Sequence, residues 1–311
     1  MMAITAAMVK ELREMTGAGM LDCKKALAAT DGNMEAAVEF LREKGLASAV
    51  KKAGRIAAEG IVAIAVSADE TEAVAVEVNS ETDFVAKNET FQAFVAEVAK
   101  QALTTDKAEV EDFLSETWNA DSSKTVAEAL AGQIAIIGEN MKIRRFGKLA
   151  SKNGFVGSYI HAGGKIGVLV AVETDVVNDA IKEMAKNVAM QVAAIKPKYT
   201  SRDEVDQAYI EHEKEILTAQ AKNEKPDAND KIISGIVMGR LNKELKEVCL
   251  LDQVYVKAED GKQSVSAYVA EVAKANAATI AVKSFVRFET GEGLEKKEED
   301  FAAEVAKQMG N

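Results

Sequence analysis

The stretch Val74-Ala75-Val76-Glu77-Val78-Asn79-Ser80-Glu81-Thr82-Asp83-Phe84-Val85-Ala86-Lys87-Asn88-Glu89 decides how this chain is organised. Val74, Val76 and Val78 alternate with small or polar residues, the two-residue period of a half-buried strand. Beyond Glu89, the residues Phe91, Phe94, Val95, Val98 and Ala99 recur at the spacing of one helix face. Asn88 and Thr90 each suit the cap of that helix. Asp83 and Phe84 therefore fall on a connection, or on a single helical turn, between two rigid elements. A large apolar ring beside a carboxylate at such a place is either tucked under the core or presented to something. On residue type alone the tucked arrangement is the commoner one.

Outward from this stretch the strand has a partner. Val62, Ile64 and Val66 alternate, residues 67–72 turn, and the valines from Val74 return as a hairpin. Helical spacing recurs at Val110, Phe113 and Leu114, and at Val126, Leu130, Ile134 and Ile137. Residues 141–149, with Ile143-Arg144-Arg145-Phe146, read as a third strand. The pattern then repeats. Residues 155–161 form a strand, Ala162-Gly163-Gly164 turn, and residues 166–172 return. Met184, Val188, Gln191 and Val192 mark a helix ahead of Pro197, and residues 282–289, with Phe285-Val286-Arg287-Phe288, close the set. This is an internal duplication of hairpin, helix and closing strand. Its period is too long for a solenoid, so the spacing predicts two similar α+β subdomains side by side.

An insertion at about 202–248 interrupts the second copy. Val205, Tyr209, His212 and Ile216 make one stripe, and Ile233, Val237, Leu241 and Leu245 make the returning one. Glu224-Lys225-Pro226-Asp227 breaks between them, so an antiparallel, coiled-coil-like helical hairpin is expected. Its charge suits either projection or a solvated fold-back. At the other end, Met8, Val9 and Leu12 share a helix face that Thr16-Gly17-Ala18-Gly19 interrupts. Met20, Cys23 and Leu27 mark a second helix, and Met34, Ala37, Val38 and Leu41 a third that ends at Gly45. Residues 47–58, with Lys51, Lys52 and Arg55, read as a charged linker or helical tether. Gly291-Glu292-Gly293 reads as a hinge before a short amphipathic helix carrying Phe301, Val305 and Met309. The expected division is 1–57 for the three-helix module and linker, 58–150 and 151–290 for the two subdomains, and 291–311 for the C-terminal helix.

The chain has 311 residues, enough for two or three domains. Lys and Arg total 39 against 50 Asp and Glu, a net charge of −11. That balance argues against nucleic acid or an anionic membrane as the main partner, since both demand basic neutralisation. Cys23 and Cys249 stand alone, as reduced cysteines of a cytosolic protein do. No signal-like start and no apolar run of membrane-spanning length is read, and the cytoplasm is expected. His161 and His212 have no metal-ligand spacing, and there is no GxSxG motif. Ala162-Gly163-Gly164-Lys165 lacks the spacing of a phosphate loop and sits in a hairpin. No cofactor, no metal and no nucleotide of its own is expected. An enzyme built on an unfamiliar motif is the third reading.

Several segments together resemble one family. Thr82-Asp83-Phe84-Val85-Ala86-Lys87-Asn88, preceded by Glu77-Val78-Asn79, is similar to a signature of the elongation factor Ts family. Thr16-Gly17-Ala18-Gly19-Met20-Leu21-Asp22-Cys23-Lys24-Lys25-Ala26-Leu27 resembles the N-terminal signature. Gly138-Glu139-Asn140 with Ile143-Arg144-Arg145, His161 with Ile166-Gly167-Val168-Leu169-Val170, and Phe288-Glu289 with Gly291-Glu292-Gly293 follow in family order, nearly end to end. The resemblance implies a guanine-nucleotide exchange factor for elongation factor Tu, which binds the nucleotide-free or GDP form. It implies a ubiquitin-associated-like fold for the first module, a helical hairpin and a C-terminal helix that touch the partner, and a loop of Thr82, Asp83, Phe84 and Val85 that disturbs the partner's Mg²⁺ site. It also makes His161 a partner contact, with Lys165 as the accompanying basic group. Lys10 and Arg13 are candidate docking charges or a solvated face. The turn Ile160-His161-Ala162-Gly163-Gly164-Lys165 departs from the family pattern, which is often one residue shorter and carries Arg near Lys165. The competing reading is an interaction or chaperone-like scaffold without exchange activity.

Overall fold

The computed structural model describes residues 4–16 and 18–295. The N-terminal module is three helices, α1 (Ala6–Thr16), α2 (Met20–Ala29) and α3 (Met34–Lys52). Val9, Leu12, Cys23, Ala26, Leu27 and Ala37 form its small core. Asn33 caps α3 by accepting from the Ala36 amide at 3.0 Å. The expected stop at Gly45 is a correction. Helix α3 runs on to Lys52 and takes in part of the supposed tether. Gly45 is buried where α3 crosses a later helix, and a Cβ there would lie 3.6 Å from Ala135 Cβ. That is ordinary contact distance, and the helix simply continues through the glycine.

Strands β1 (Glu59–Val66) and β2 (Glu72–Ser80) follow as an antiparallel hairpin. One helical turn, α4 (Asp83–Ala86), leads into α5 (Glu89–Thr104). Helices α6 (Val110–Leu114) and α7 (Val126–Ile137) precede β3 (Met141–Ala150), and the sheet order is β1-β2-β3. The second copy runs β4 (Gly154–His161), a short 3₁₀ turn (Ala162–Gly164), β5 (Ile166–Thr174) and α8 (Asp179–Ile195). The insertion α9 (Gln207–Glu224) and α10 (Asp230–Val248) comes next. Then α11 (Val265–Ala275) leads to β6 (Ile280–Glu289), which gives the order β4-β5-β6. The duplication extends to a defect: the register slips between Glu77 and Val78 in one sheet and between Ala171 and Val172 in the other. Each slip falls at the sixth residue of its middle strand, counted from Glu72 and from Ile166.

The half-buried reading of β2 needs correction too. Every residue after Glu72 is buried. Val74, Val76 and Val78 pack under Phe91, Phe94, Val95 and Val98 of α5. Ala73 and Ala75, on the opposite face, pack with Val62 against Val156 and Leu169 of the second sheet. The two sheets thus share a core, and small residues on the inner face let them meet.

Glu77 lies on that inner face, fully buried, and four donors surround it. Arg144 Nη1 reaches it at 2.9 Å, Arg145 Nε at 2.5 Å, Asn79 Nδ2 at 3.0 Å and the Gly291 amide at 2.8 Å. Adjacent strand residues normally point to opposite faces. The slip opposite Glu77 leaves Arg144 as the extra residue of β3, so both arginines turn to the same carboxylate. Arg145 also reaches the Glu289 carbonyl at 3.3 Å and stacks 4.4 Å from the Phe288 ring centre. Gly291 is therefore no hinge. It is buried at φ 72°, and a Cβ would lie 2.1 Å from the Ala58 carbonyl oxygen. Gly291→Ala should cost more than about 1 kcal/mol, seen as a lower urea midpoint with an unchanged slope.

The helical hairpin forms, with Ile233, Val237, Leu241 and Leu245 all buried as expected. Its outgoing stripe is shifted. His212 and Ile216 are exposed, while Tyr209, Ile210, Leu217 and Ala221 face α10. Tyr209 donates to Glu244 across the hairpin, and Arg240 pairs with Glu224 at 2.6 Å near the tip. The expected C-terminal amphipathic helix, with Phe301, Val305 and Met309, lies outside the described residues.

Candidate partner-docking site

The turn α4 rests on side chains that cap it from its own sequence. Thr82 is extended at φ −128°, and its hydroxyl accepts weakly from the Val85 amide at 3.4 Å. At the exit, Asn88 Oδ1 accepts from the Thr90 and Phe91 amides at 2.9 and 3.1 Å, so Asn88 rather than Thr90 caps α5. Gln92 Nε2 reaches back to the Ala86 carbonyl at 3.0 Å. Val85 is buried in the first core and anchors the turn. With Val85 inward, its neighbour turns outward: Phe84 is 80% exposed, the most exposed large apolar side chain among the described residues. The tucked arrangement is thereby excluded.

Asp83 sits beside the ring. Its carboxylate accepts from Lys87 Nζ at 2.7 Å, and that hydrogen bond, against a smaller desolvation effect, holds its pKa below the usual carboxylate value. Lys165, at the tip of the second hairpin, adds a weaker electrostatic pull in the same direction. The fold thus brings Lys165 within electrostatic reach of Asp83 across the two subdomains. Lys87 Nζ also lies 6.0 Å from the Phe84 ring centre. An open groove of about 340 Å³ beside the turn is lined by Phe84, Val85, Asn88, Thr90, Ile136 and Ile137. Ile136 is itself exposed and continues the apolar surface.

His161 is exposed at the end of β4 and its Nδ1 lies 2.9 Å from the Tyr159 hydroxyl. It and Lys165 flank the 3₁₀ turn, which Thr290 ties to β6 through its amide to the Lys165 carbonyl at 2.9 Å. Lys10 and Arg13 point to solvent from α1, in the N-terminal module, and Lys10 pairs loosely with Glu14 at 3.7 Å. No cluster of His, Cys, Asp or Glu able to hold a metal occurs among the described residues. No described helix is long and apolar enough to cross a membrane.

Sequence reasoning missed what holds the loop from outside. Gly138, in the left-handed conformation at φ 89°, ends α7 and turns the chain back toward α4. Glu139 then accepts from both the amide and the hydroxyl of Thr82, at 3.0 and 2.8 Å. Glu81 accepts from the Asn140 amide at 2.5 Å, and Asn140 Nδ2 donates to the Arg55 carbonyl at 2.8 Å. The available signal was Gly138-Glu139-Asn140 itself, a helix stop followed by polar residues directly before a strand.

A family model described as "Elongation factor TS" matches residues 81–292, and one described as "UBA/TS-N domain" matches residues 4–41. Elongation factor Ts of Clostridioides difficile (strain 630) is 58% identical over 306 residues, covering 98% of this chain and 99% of that protein. Those of Clostridium botulinum (strain Eklund 17B / Type B) and Clostridium novyi (strain NT) are 55% and 54% identical over 308 and 307 residues, again across 98–99% of both chains. With the duplicated frame, the N-terminal module and this end-to-end similarity in hand, the chain belongs to the elongation factor Ts family.

Proposed function

We propose that this chain is a guanine-nucleotide exchange factor for elongation factor Tu, acting in the cytosol during translation elongation. The carrying observation is Phe84, an exposed ring on a turn fixed at both ends, beside an ionised Asp83. Family membership supports the choice of partner.

A switch GTPase grips its nucleotide through a phosphate-cradling loop, a lysine and a bridging Mg²⁺. A protein that prefers the nucleotide-free form weakens nucleotide binding by the same factor that nucleotide weakens its own. Shifting such an equilibrium decisively takes about 5 kcal/mol of differential binding. Phe84 entering an apolar pocket near the Mg²⁺ site supplies about 1.5–3 kcal/mol. The remainder falls to flanking surfaces, namely His161 and Lys165 on the second hairpin tip, Lys10 and Arg13 on α1, and the helical hairpin. Asp83 places a negative charge where switch-region hydrogen bonds would be disturbed. No bond is made or broken by this chain, and the net charge of −11 accords with a protein rather than a nucleic-acid partner.

The test is release of fluorescent GDP from elongation factor Tu with and without this chain. Acceleration at substoichiometric amounts is expected. Complex formation with unchanged release would leave the scaffold reading standing instead.

A further inference from the structure

The ladder between β2 and β3 ends at the pair Ser80 and Met141. Counting outward, the next opposed residues are Glu81 with Asn140 and Thr82 with Glu139. Here the chains part to begin α4 and to leave α7, so their carbonyls cannot continue the ladder. Two backbone donors would be left unpaired, a costly state at a partly buried edge. Each is instead taken by the carboxylate of the residue opposite. Glu81 Oε1 accepts the Asn140 amide at 2.5 Å, and Glu139 Oε2 accepts the Thr82 amide at 3.0 Å. Glu139 Oε1 takes the Thr82 hydroxyl as well, at 2.8 Å.

Thr82 is the N-cap of α4, so its φ and ψ set the direction in which the turn leaves the sheet. Ser80 Oγ donates to the Thr82 carbonyl at 3.0 Å, which fixes the following peptide, so Thr82 is held on both sides of its Cα. The hydroxyl that accepts weakly from Val85 is held in place by donating to Glu139. We propose that Glu139 is a positioning residue for exchange: by gripping Thr82 at both its amide and its hydroxyl, it aims Phe84, two residues on. It touches neither the nucleotide nor the ring, and acts only through Thr82. This inference rests on the reading of Phe84 as the wedge.

A positioning role makes a signature that a general loss of stability does not. Docking through α1, the second hairpin tip and the helical hairpin survives in Glu139→Ala. The maximal rate of GDP release should therefore fall roughly tenfold, while the concentration of this chain giving half-maximal release stays within about twofold. Glu139→Gln keeps one acceptor oxygen and should recover part of the rate. In a double-mutant cycle, Glu139→Ala placed on Phe84→Ala should add almost no further loss, because its effect passes through that ring. Amide exchange at Thr82 and Val85 should quicken in Glu139→Ala. If Glu139→Ala folds poorly, Thr82→Val, which removes only the hydroxyl, carries the same comparison against Thr82→Ser.

A normal maximal rate in Glu139→Ala, with Phe84→Ala slow, overturns this inference and leaves the wedge reading intact. Fully additive losses in the cycle overturn it also. Normal release in Phe84→Ala removes the wedge reading and this inference with it.

Discussion

Replacing Phe84 with alanine should slow GDP release from elongation factor Tu by roughly ten- to a hundredfold and leave this chain's own stability nearly unchanged. The two halves of that statement come from one number. A ring that is 80% exposed fills no space in its own protein, so its removal opens no cavity and should change the unfolding free energy by less than about 0.5 kcal/mol. The same ring buried in a partner contributes about 1.5–3 kcal/mol, and every 1.4 kcal/mol or so is a factor of ten. Thermal melting and stopped-flow release on one preparation check both halves. Phe84→Leu should fall between, since it keeps much of the apolar surface. A large drop in melting temperature with normal release would show that the ring belongs to this chain's core and not to an interface.

The second large effect is structural. Glu77→Ala should destabilise the fold by about 3 kcal/mol, the lower end for breaking a buried ion pair because both arginines keep some water. It leaves Arg144 and Arg145 facing each other and strands the Gly291 amide. The acid response has a definite sign. Burial alone would raise the Glu77 pKa, but hydrogen bonds from Gly291, Asn79, Arg144 and Arg145 outweigh it and leave it below the ordinary 4.5. Glu289, held by Lys196 and Arg287, is lowered from 4.5 to about 2. A carboxylate whose pKa is depressed by folding stabilises above its unfolded pKa, and that contribution fades as pH falls through the folded value. Urea denaturation should therefore show stability falling from about pH 4.5 toward pH 2, with a shallower slope in Glu77→Gln. Equal slopes in the two proteins would mean that the cluster carries no net electrostatic stabilisation.

Much of the frame was legible because it is written in local periodicity. Alternating valines marked β2, Gly163-Gly164 marked the second hairpin turn, and Ile233, Val237, Leu241 and Leu245 marked the inner face of α10. The errors share a cause, which is contact between segments distant in sequence. Ala73, Ala75 and Glu77 look like a solvent face until a second sheet covers them. Gly45 looks like a helix stop until α7 crosses it. The expected outgoing stripe holds at Val205 and Tyr209 and fails at His212 and Ile216, because Ile210 and Leu217 offer a neighbouring apolar face and only α10 chooses between them. Gly291 looked like a hinge because glycine permits both freedom and tight approach, and the Ala58 carbonyl decides between them. At the site, the position of Phe84 on a turn was readable. Its exposure was not, and neither was the grip of Glu139 on Thr82, which spans 57 positions.

The two halves of the duplicated frame also differ in one instructive way. After β5 the chain passes directly to α8, and Asp175 is spent on the Thr279 amide at 2.8 Å, which secures the start of β6. After β2 the chain spends an additional turn, α4, before its helix begins. That turn is an accessory mounted on the scaffold, anchored by Val85 in the core and fastened at its start by Glu139. Its outer tip, Phe84, fills no space in the core beneath and so is open to redesign for another client, whereas at the matching corner of the other half Asp175 is committed to holding β6.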